Sequence, residues 1–266
     1  MKKTLVVLAV LCGLVPAVQA ADVAGTDVGI TADLTFMSRY IWHGINKMGS
    51  SPVWQPSVDF DLGGGIGANL MASYANNSGH VNETEYAYTL YYGGSILENC
   101  FKTDYTLGWR YYDFIDMPSK GVDVQEVFVE MDMPQLLVGG LVPHINYYYV
   151  WQARSGRSTT DSLGDPLTVK SGSIVAVGFD YNFSIPEVPE APMTFSWDIV
   201  YNDGAGPMDM KHDWTHMVWG LKAKMQCPLT GGAITPQLYY QNTLVDSVFA
   251  PKKDFLYGGI SYSLKF

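Results

Sequence analysis

The stretch DFLYGGISYSLKF, Asp254 to Phe266, alternates polar and apolar residues and puts Leu256, Ile260, Tyr262, Leu264 and Phe266 on one face. Successive side chains of a strand point to opposite faces, so this segment offers one face to lipid and the other to a polar interior. Ending on an aromatic, it predicts the closing strand of an outer-membrane β-barrel, the strand that assembly machinery would engage at Phe266.

Upstream, the same period of two recurs and predicts about twelve strands, each near the ~10 residues that a tilted membrane strand needs. The first runs from Val28 to Trp42, with Ile30, Ala32, Leu34, Phe36 and Tyr40 on the lipid side and Thr31, Asp33, Thr35 and Arg39 opposite. Val53 to Leu62 and Gly65 to Ala75 form a hairpin about a glycine turn. The others are Glu83–Tyr92, Phe101–Tyr112, Val122–Asp132, Leu141–Gln152, Gly172–Phe183, Met193–Asn202, Trp214–Gln226, Ile234–Asn242 and the closing strand. An even count places both termini in the periplasm. The connections near 43–52, 76–82, 113–121, 153–171, 203–213 and 243–253 are then extracellular. The polar connection Ala153 to Lys170 is the one expected to fold over the mouth, and Ile185 to Pro192 is expected to be a stiff proline turn that cannot extend the ladder.

Outward aromatics predict two girdles. Tyr40, Trp42, Trp54, Tyr74, Trp109, Tyr111, Tyr149, Trp151, Tyr201 and Tyr240 lie toward the outer rim; Tyr92, Phe101, Phe183, Phe195 and Phe266 lie toward the inner.

The N-terminus has Lys2 and Lys3, an apolar run from Leu5 to Val15 and the sequence Val18-Gln19-Ala20, which reads as a signal peptide over residues 1–20 with the barrel over 21–266. The run is too short for a spanning helix, and Leu11 before Cys12 does not suit lipidation. Loss of the two lysines takes the formal charge from −10 to −12, which disfavours nucleic acid as a partner. Cys100 and Cys227 remain in an oxidising compartment, where a disulfide and two free thiols are both open.

Gly63-Gly64-Gly65-Ile66-Gly67 has dinucleotide-fingerprint spacing but leads into a strand rather than a helix, so it is a turn. His212 and His216, four residues apart on a strand, would lie about 13 Å from each other and read as polar rim rather than as metal ligands. His43, His80 and the loop Asp113 to Asp116 also fall at the outer rim, and no serine stands in register beside a histidine. No catalytic, metal or cofactor group is assigned.

The inward face is the richer constellation. It carries Asp33, Asp59, Asp61, Glu83, Glu85, Asp104, Glu126, Glu130, Asp132, Asp180 and Asp198 against Arg39, Lys102, Arg110, Lys222, Lys224 and Lys265. Charges facing lipid at the midplane cost up to several kcal/mol, so these line a lumen. Either water fills that lumen and the acidic excess favours cations, or the charges pair across a closed interior.

Met37-Ser38-Arg39-Tyr40-Ile41-Trp42-His43-Gly44-Ile45, followed by Ser51-Pro52-Val53-Trp54-Gln55-Pro56-Ser57-Val58-Asp59, resembles the small outer-membrane barrels of the TorF-like (Gcw_chp) family. Its members often open with Ser-x-Tyr-x-Trp/Phe-Arg-Gly, and His43 stands where they usually have Arg. The likeness is strongest over residues 34–62 and implies a barrel of poorly known function with no catalytic residues. The expectation is an all-β transmembrane barrel in the outer membrane, acting as a porin-like channel for ions or small polar solutes. A plugged structural or receptor barrel and a hydrolase with a rim site are the alternatives.

Overall fold

Runs of alternating residues form hydrogen-bonded ladders only where each strand finds a neighbour on both sides, and closing the sheet on itself leaves no edge. The computed structural model describes residues 21–23, 26–76, 84–117, 122–154, 169–206, 212–245 and 254–266. Twelve strands build its wall: β1 (Thr26–Met37), β2 (Val53–Asp61), β3 (Ile66–Ala75), β4 (Glu85–Ile96), β5 (Thr103–Phe114), β6 (Val124–Asp132), β7 (Leu141–Gln152), β8 (Gly172–Ile185), β9 (Val188–Asp203), β10 (His212–Ala223), β11 (Ala233–Thr243) and β12 (Phe255–Lys265). Each pairs antiparallel with its chain neighbours, and β12 pairs with β1 from Gly259↔Met37 to Lys265↔Thr31, closing the barrel. Following paired residues once round the wall advances roughly 16 residues along the strand, which gives a tilt of about 40° and a backbone diameter of about 25 Å.

One end of the barrel carries tight turns and the other longer connections, called here the turn end and the loop end. The turn after β2 uses Gly63, Gly64 and Gly65 at φ of 82°, 61° and 85°, a left-handed run that side chains with a Cβ resist. The first described residues, Ala21–Val23, and Phe266 lie at the turn end, where the Phe266 amide donates to the Ile30 carbonyl at 2.8 Å.

The outer surface is apolar round the circumference. Leu256 is 65 % exposed and Leu90 57 %, as suits side chains that meet lipid. Tyr74 with Tyr86, Trp109 with Tyr111, Tyr149 with Trp151, and Tyr201 with Trp214 pair their rings on this outer face near the loop end.

Several expectations need correction. The first strand stops at Met37 rather than at Trp42, because Ser38 to Ser51 turns into the barrel. Tyr40 and Trp42, expected in the outer girdle, are therefore buried in the interior. The proline segment does extend the ladder: Ile185 pairs with Val188 across a two-residue turn, with a register shift beside it, since a proline keeps its carbonyl as an acceptor. The sixth strand starts at Val124, not Val122.

Cys100 and Cys227 are free. Their turns, β4–β5 and β10–β11, are six strands apart on a ring of twelve and so face each other across the barrel, whereas a disulfide needs Cα atoms within about 7 Å. The signal segment 1–20, Glu83, His80 and residues 155–168 of the expected mouth loop lie outside the described residues.

Candidate functional site

A barrel of this width leaves about 13 Å between opposing side chains, room for one further hairpin. The segment 38–52 supplies it. Ile41–Trp42 pairs with Ile45–Asn46 as a separate two-stranded sheet, and Tyr40, Trp42, Ile45 and Met48 are buried against luminal Val53, Ala87, Tyr112, Phe114, Val124, Val150, Ile174 and Val200. These wall residues come from seven strands, so the apolar core of the protein sits inside the barrel at its loop end. A loop bathed in water has no use for Trp42, Ile45 and Met48; burying such side chains yields roughly 1.5–3 kcal/mol each.

The hairpin tip is fixed by His43 at φ 44° and Gly44 at φ 83°. Gly44 is required twice over. Its backbone is left-handed, and a Cβ there would collide with the buried His216 imidazole of β10. The Gly44 carbonyl accepts a hydrogen bond from the Gln241 amide of β11 at 2.8 Å. On the opposite wall the Tyr40 hydroxyl donates to buried Glu85 of β4, and His43 Nε2 donates to Glu126 Oε2 of β6 at 3.0 Å. The Lys47 ammonium lies 4.6 Å from the Trp42 ring centre and 4.8 Å from that of Phe114. The hairpin thus crosses the lumen from wall to wall; the ladder's last backbone bonds lie at its two ends, from the Ser38 amide to the Gly258 carbonyl at 2.8 Å and from the Asn76 amide to the Pro52 carbonyl at 2.7 Å, and between them side chains of the wall hold it.

Glu126 is the hub of this seat. Its side chain is fully buried, and while Oε2 takes His43, Oε1 accepts Arg110 Nη1 at 2.7 Å and the Tyr112 hydroxyl at 3.1 Å. Arg110 is anchored further by the Thr89 hydroxyl at 3.0 Å and lies over the Phe128 ring. A buried carboxylate with this many donors is tolerated because its charge is paired and its lone pairs are used.

Toward the turn end the lumen changes character. Asp59 accepts the Tyr91 hydroxyl at 2.8 Å and an Asn69 amide at 3.4 Å. Asp198 meets His144 Nε2 at 2.6 Å, the two reaching each other over Gly178. Thr35, Ser261 and Gln237 form a neutral network, and Tyr239 stacks on Tyr257 with ring centres 5.1 Å apart.

The strand register puts Asp33, Asp59, Asp61, Glu85, Asp104, Arg110, Glu126, Glu130, Asp132, Asp180, Asp198, Lys222 and Lys265 on the luminal face. Only Glu85, Arg110 and Glu126 come together beneath the hairpin. Asp33, Asp59, Asp61, Asp104, Glu130, Asp180 and Asp198 line the turn-end half. Lys222 reaches over the Tyr239 ring, and Lys102 pairs with Asp104 at 3.0 Å. Lys224 follows β10 into the turn, its amide bonded to the Pro192 carbonyl, and lines a recess of about 470 Å³ with Asn182, Ser184 and Thr194. Arg39 sits on the hairpin stem, donating to the Gly49 carbonyl at 3.2 Å.

His212 meets exposed Asp203 at 2.6 Å on the rim while His216 turns inward to Gly44, so the two histidines serve different partners. The sequence reading missed the seat residues Gly44, Lys47, Met48 and Gln241 and the luminal His144, and it left His43 and His216 at the polar rim. The one local signal is the break in alternation at His43-Gly44 amid bulky apolar residues.

No family model and no curated protein matches the sequence. Among solved structures, the KdgM porin has a TM-score of 0.51 at 8% identity, covering 89% of this chain and 99% of that one. The NanC porin has a TM-score of 0.49 at 12% identity, covering 87% and 97%. The outer membrane channel DcaP of Acinetobacter baumannii has a TM-score of 0.39 at 10% identity, covering 91% and 98%. At such identities a likeness speaks for the fold alone: the chain is a closed twelve-stranded antiparallel β-barrel, an architecture it shares with the KdgM porin.

Proposed function

We propose that the protein is a porin-like channel of a bacterial outer membrane, cation-preferring, that passes ions or small polar solutes and is gated by the 38–52 hairpin. The loop end is extracellular, both termini are periplasmic, and the chemistry is passage rather than catalysis. The observation that carries the proposal is the lumen itself. Its turn-end half presents Asp33, Asp59, Asp61, Asp104, Glu130, Asp132, Asp180 and Asp198 against Lys102, Lys222, Lys224 and Lys265, an acidic excess that raises the local concentration of cations. The hairpin above it forms its own small sheet between ladder bonds at Ser38 and Pro52, so residues 39–51 can leave the lumen without breaking a rung of the barrel. The resemblance over residues 34–62 supports placing the chain among the TorF-like barrels.

The test is conductance of the folded barrel in planar bilayers under a salt gradient. Discrete steps with a cation-selective reversal potential are expected, and replacing residues 41–46 by a short Gly-Ser turn should raise the conductance. A folded barrel that stays silent with and without the hairpin would sink the proposal. The close seating of Tyr40, Trp42 and Met48 favours a second reading, a barrel permanently plugged at its loop end that serves as a structural element or receptor. That reading requires the hairpin-deleted barrel to conduct while the intact one never does.

A further inference from the structure

His43 fills a niche whose chemistry is not specific to a tethered histidine. At one end stands Glu126 Oε2, which has the His43 ring nitrogen 3.0 Å away and whose sister oxygen is already taken by Arg110 and Tyr112. At the side stands the Tyr148 ring, 4.6 Å from the imidazole centre and inclined at 61° to it, with the Phe128 ring centre 6.5 Å from that of Tyr148. The Tyr148 hydroxyl donates to Glu130 at 3.0 Å, so a second carboxylate flanks the same niche. Without the imidazole, two carboxylates face one guanidinium and the niche is net negative. A buried anion closed in by aromatic rings is the arrangement that binds organic cations, through a charge-assisted hydrogen bond and the negative ring faces.

The niche is also placed for solutes to reach. Along β6 the luminal residues descend from Glu126 through Phe128 and Glu130 to Asp132, and Asp132 lies directly opposite Asp104 on β5. These carboxylates form a file from the turn-end mouth to the seat, which steers positive solutes along that wall.

We propose that Glu126, Tyr148, Phe128 and Glu130 form a binding subsite for small organic cations that carry a flat ring, such as imidazolium compounds, and that His43 is its tethered occupant. A free cation of this class competes with His43 for Glu126 and so releases the hairpin that crosses the lumen. The site stands on geometry alone; its consequence for passage rests on the channel reading above.

The experiment is calorimetric titration with imidazole, at about pH 6 where it is largely a cation, of barrels shown to be folded by their gel shift on heating. The H43A barrel, its seat vacated, should bind imidazole at one saturable site. The wild type, where the tethered ring competes, and H43A/E126Q should each bind at least tenfold more weakly. No saturable binding to H43A, or equal binding to H43A and H43A/E126Q, would overturn the assignment. If E126Q does not fold, H43A/Y148L takes its place, removing the aromatic wall while leaving the Arg110–Glu126 pair intact, and the same tenfold loss is expected. Titration reads binding and not conductance. A binding barrel that is silent in bilayers therefore removes the channel reading and keeps the subsite, whereas a conducting barrel without binding does the reverse.

Discussion

Substituting Gly44→Ala should unseat the hairpin and leave the barrel standing. Two costs add at this position. The backbone at φ 83° becomes unfavourable for a residue with a Cβ, by about 1–2 kcal/mol. The new methyl also runs into the His216 imidazole, which is buried and tied by its Nδ1 to the Thr215 hydroxyl at 2.8 Å, so it has little room to yield; overpacking of this kind costs about 1–3 kcal/mol. The total of about 2–5 kcal/mol falls on the seated state alone, because residues 39–51 around Gly44 make no backbone bond to the twelve-strand ladder.

At 1.4 kcal/mol per tenfold, the population of released hairpin rises roughly 30-fold to several thousand-fold. Arg39 and Lys47 bracket the hairpin and offer the readout, since trypsin can cut there only when the segment leaves the lumen. Cleavage of folded G44A at these two sites should be at least 30-fold faster than in wild type, with the gel shift of the barrel unchanged. The double variant G44A/H216A removes the collision and keeps the backbone cost, so it should recover part of the protection. Equal protection of G44A and wild type would refute the argument that Gly44 against His216 seats the hairpin.

Other outcomes follow from the same geometry. Changing Asp59, Asp180 and Asp198 together to Asn should lower cation preference, read as a smaller reversal potential in a salt gradient; an unchanged value would remove the luminal acids from the mechanism. Val58→Lys or Leu264→Lys on the lipid face should cost about 2–4 kcal/mol near the midplane and reduce the folded fraction on gels, with losses near zero if that face does not meet lipid. Both thiols should alkylate without reductant. The Thr230 hydroxyl and the backbone at Leu229 and Thr230 hold the half-buried Cys227 thiol below the ordinary range, so more of it is thiolate at neutral pH and its alkylation should rise at a lower pH than for an ordinary thiol. Thr230→Val should move that profile back up.

The period of two was legible because it is local. Each residue of Val53 to Asp61 announces its face by contrast with the next, so Asp59 and Val58 could be assigned to lumen and lipid without knowing any neighbour. The closing strand, the strand count, the glycine turn and the luminal acids all follow from such contrasts, as does the outward placement of Trp54 and Tyr74. The cysteines show the limit: spacing along the chain carries no information about position round the barrel, and only the strand order sets Cys100 and Cys227 on opposite sides.

Tyr40 and Trp42 show it more sharply. They continue the alternation of β1, and an aromatic is satisfied either at the headgroup level or in a dry interior, so their pattern is the same whether the chain runs on up the wall or folds into the lumen. The choice was made by residues far along the chain: Glu85, Glu126, His216 and Gln241 come from four separate strands and meet only because the barrel closes. The sequence by itself determined a polar-lined, apolar-clad barrel, since that depends on each residue and its immediate neighbours. The tertiary structure alone decided what stands in the lumen, since a seat built from opposite walls exists only once those walls have met.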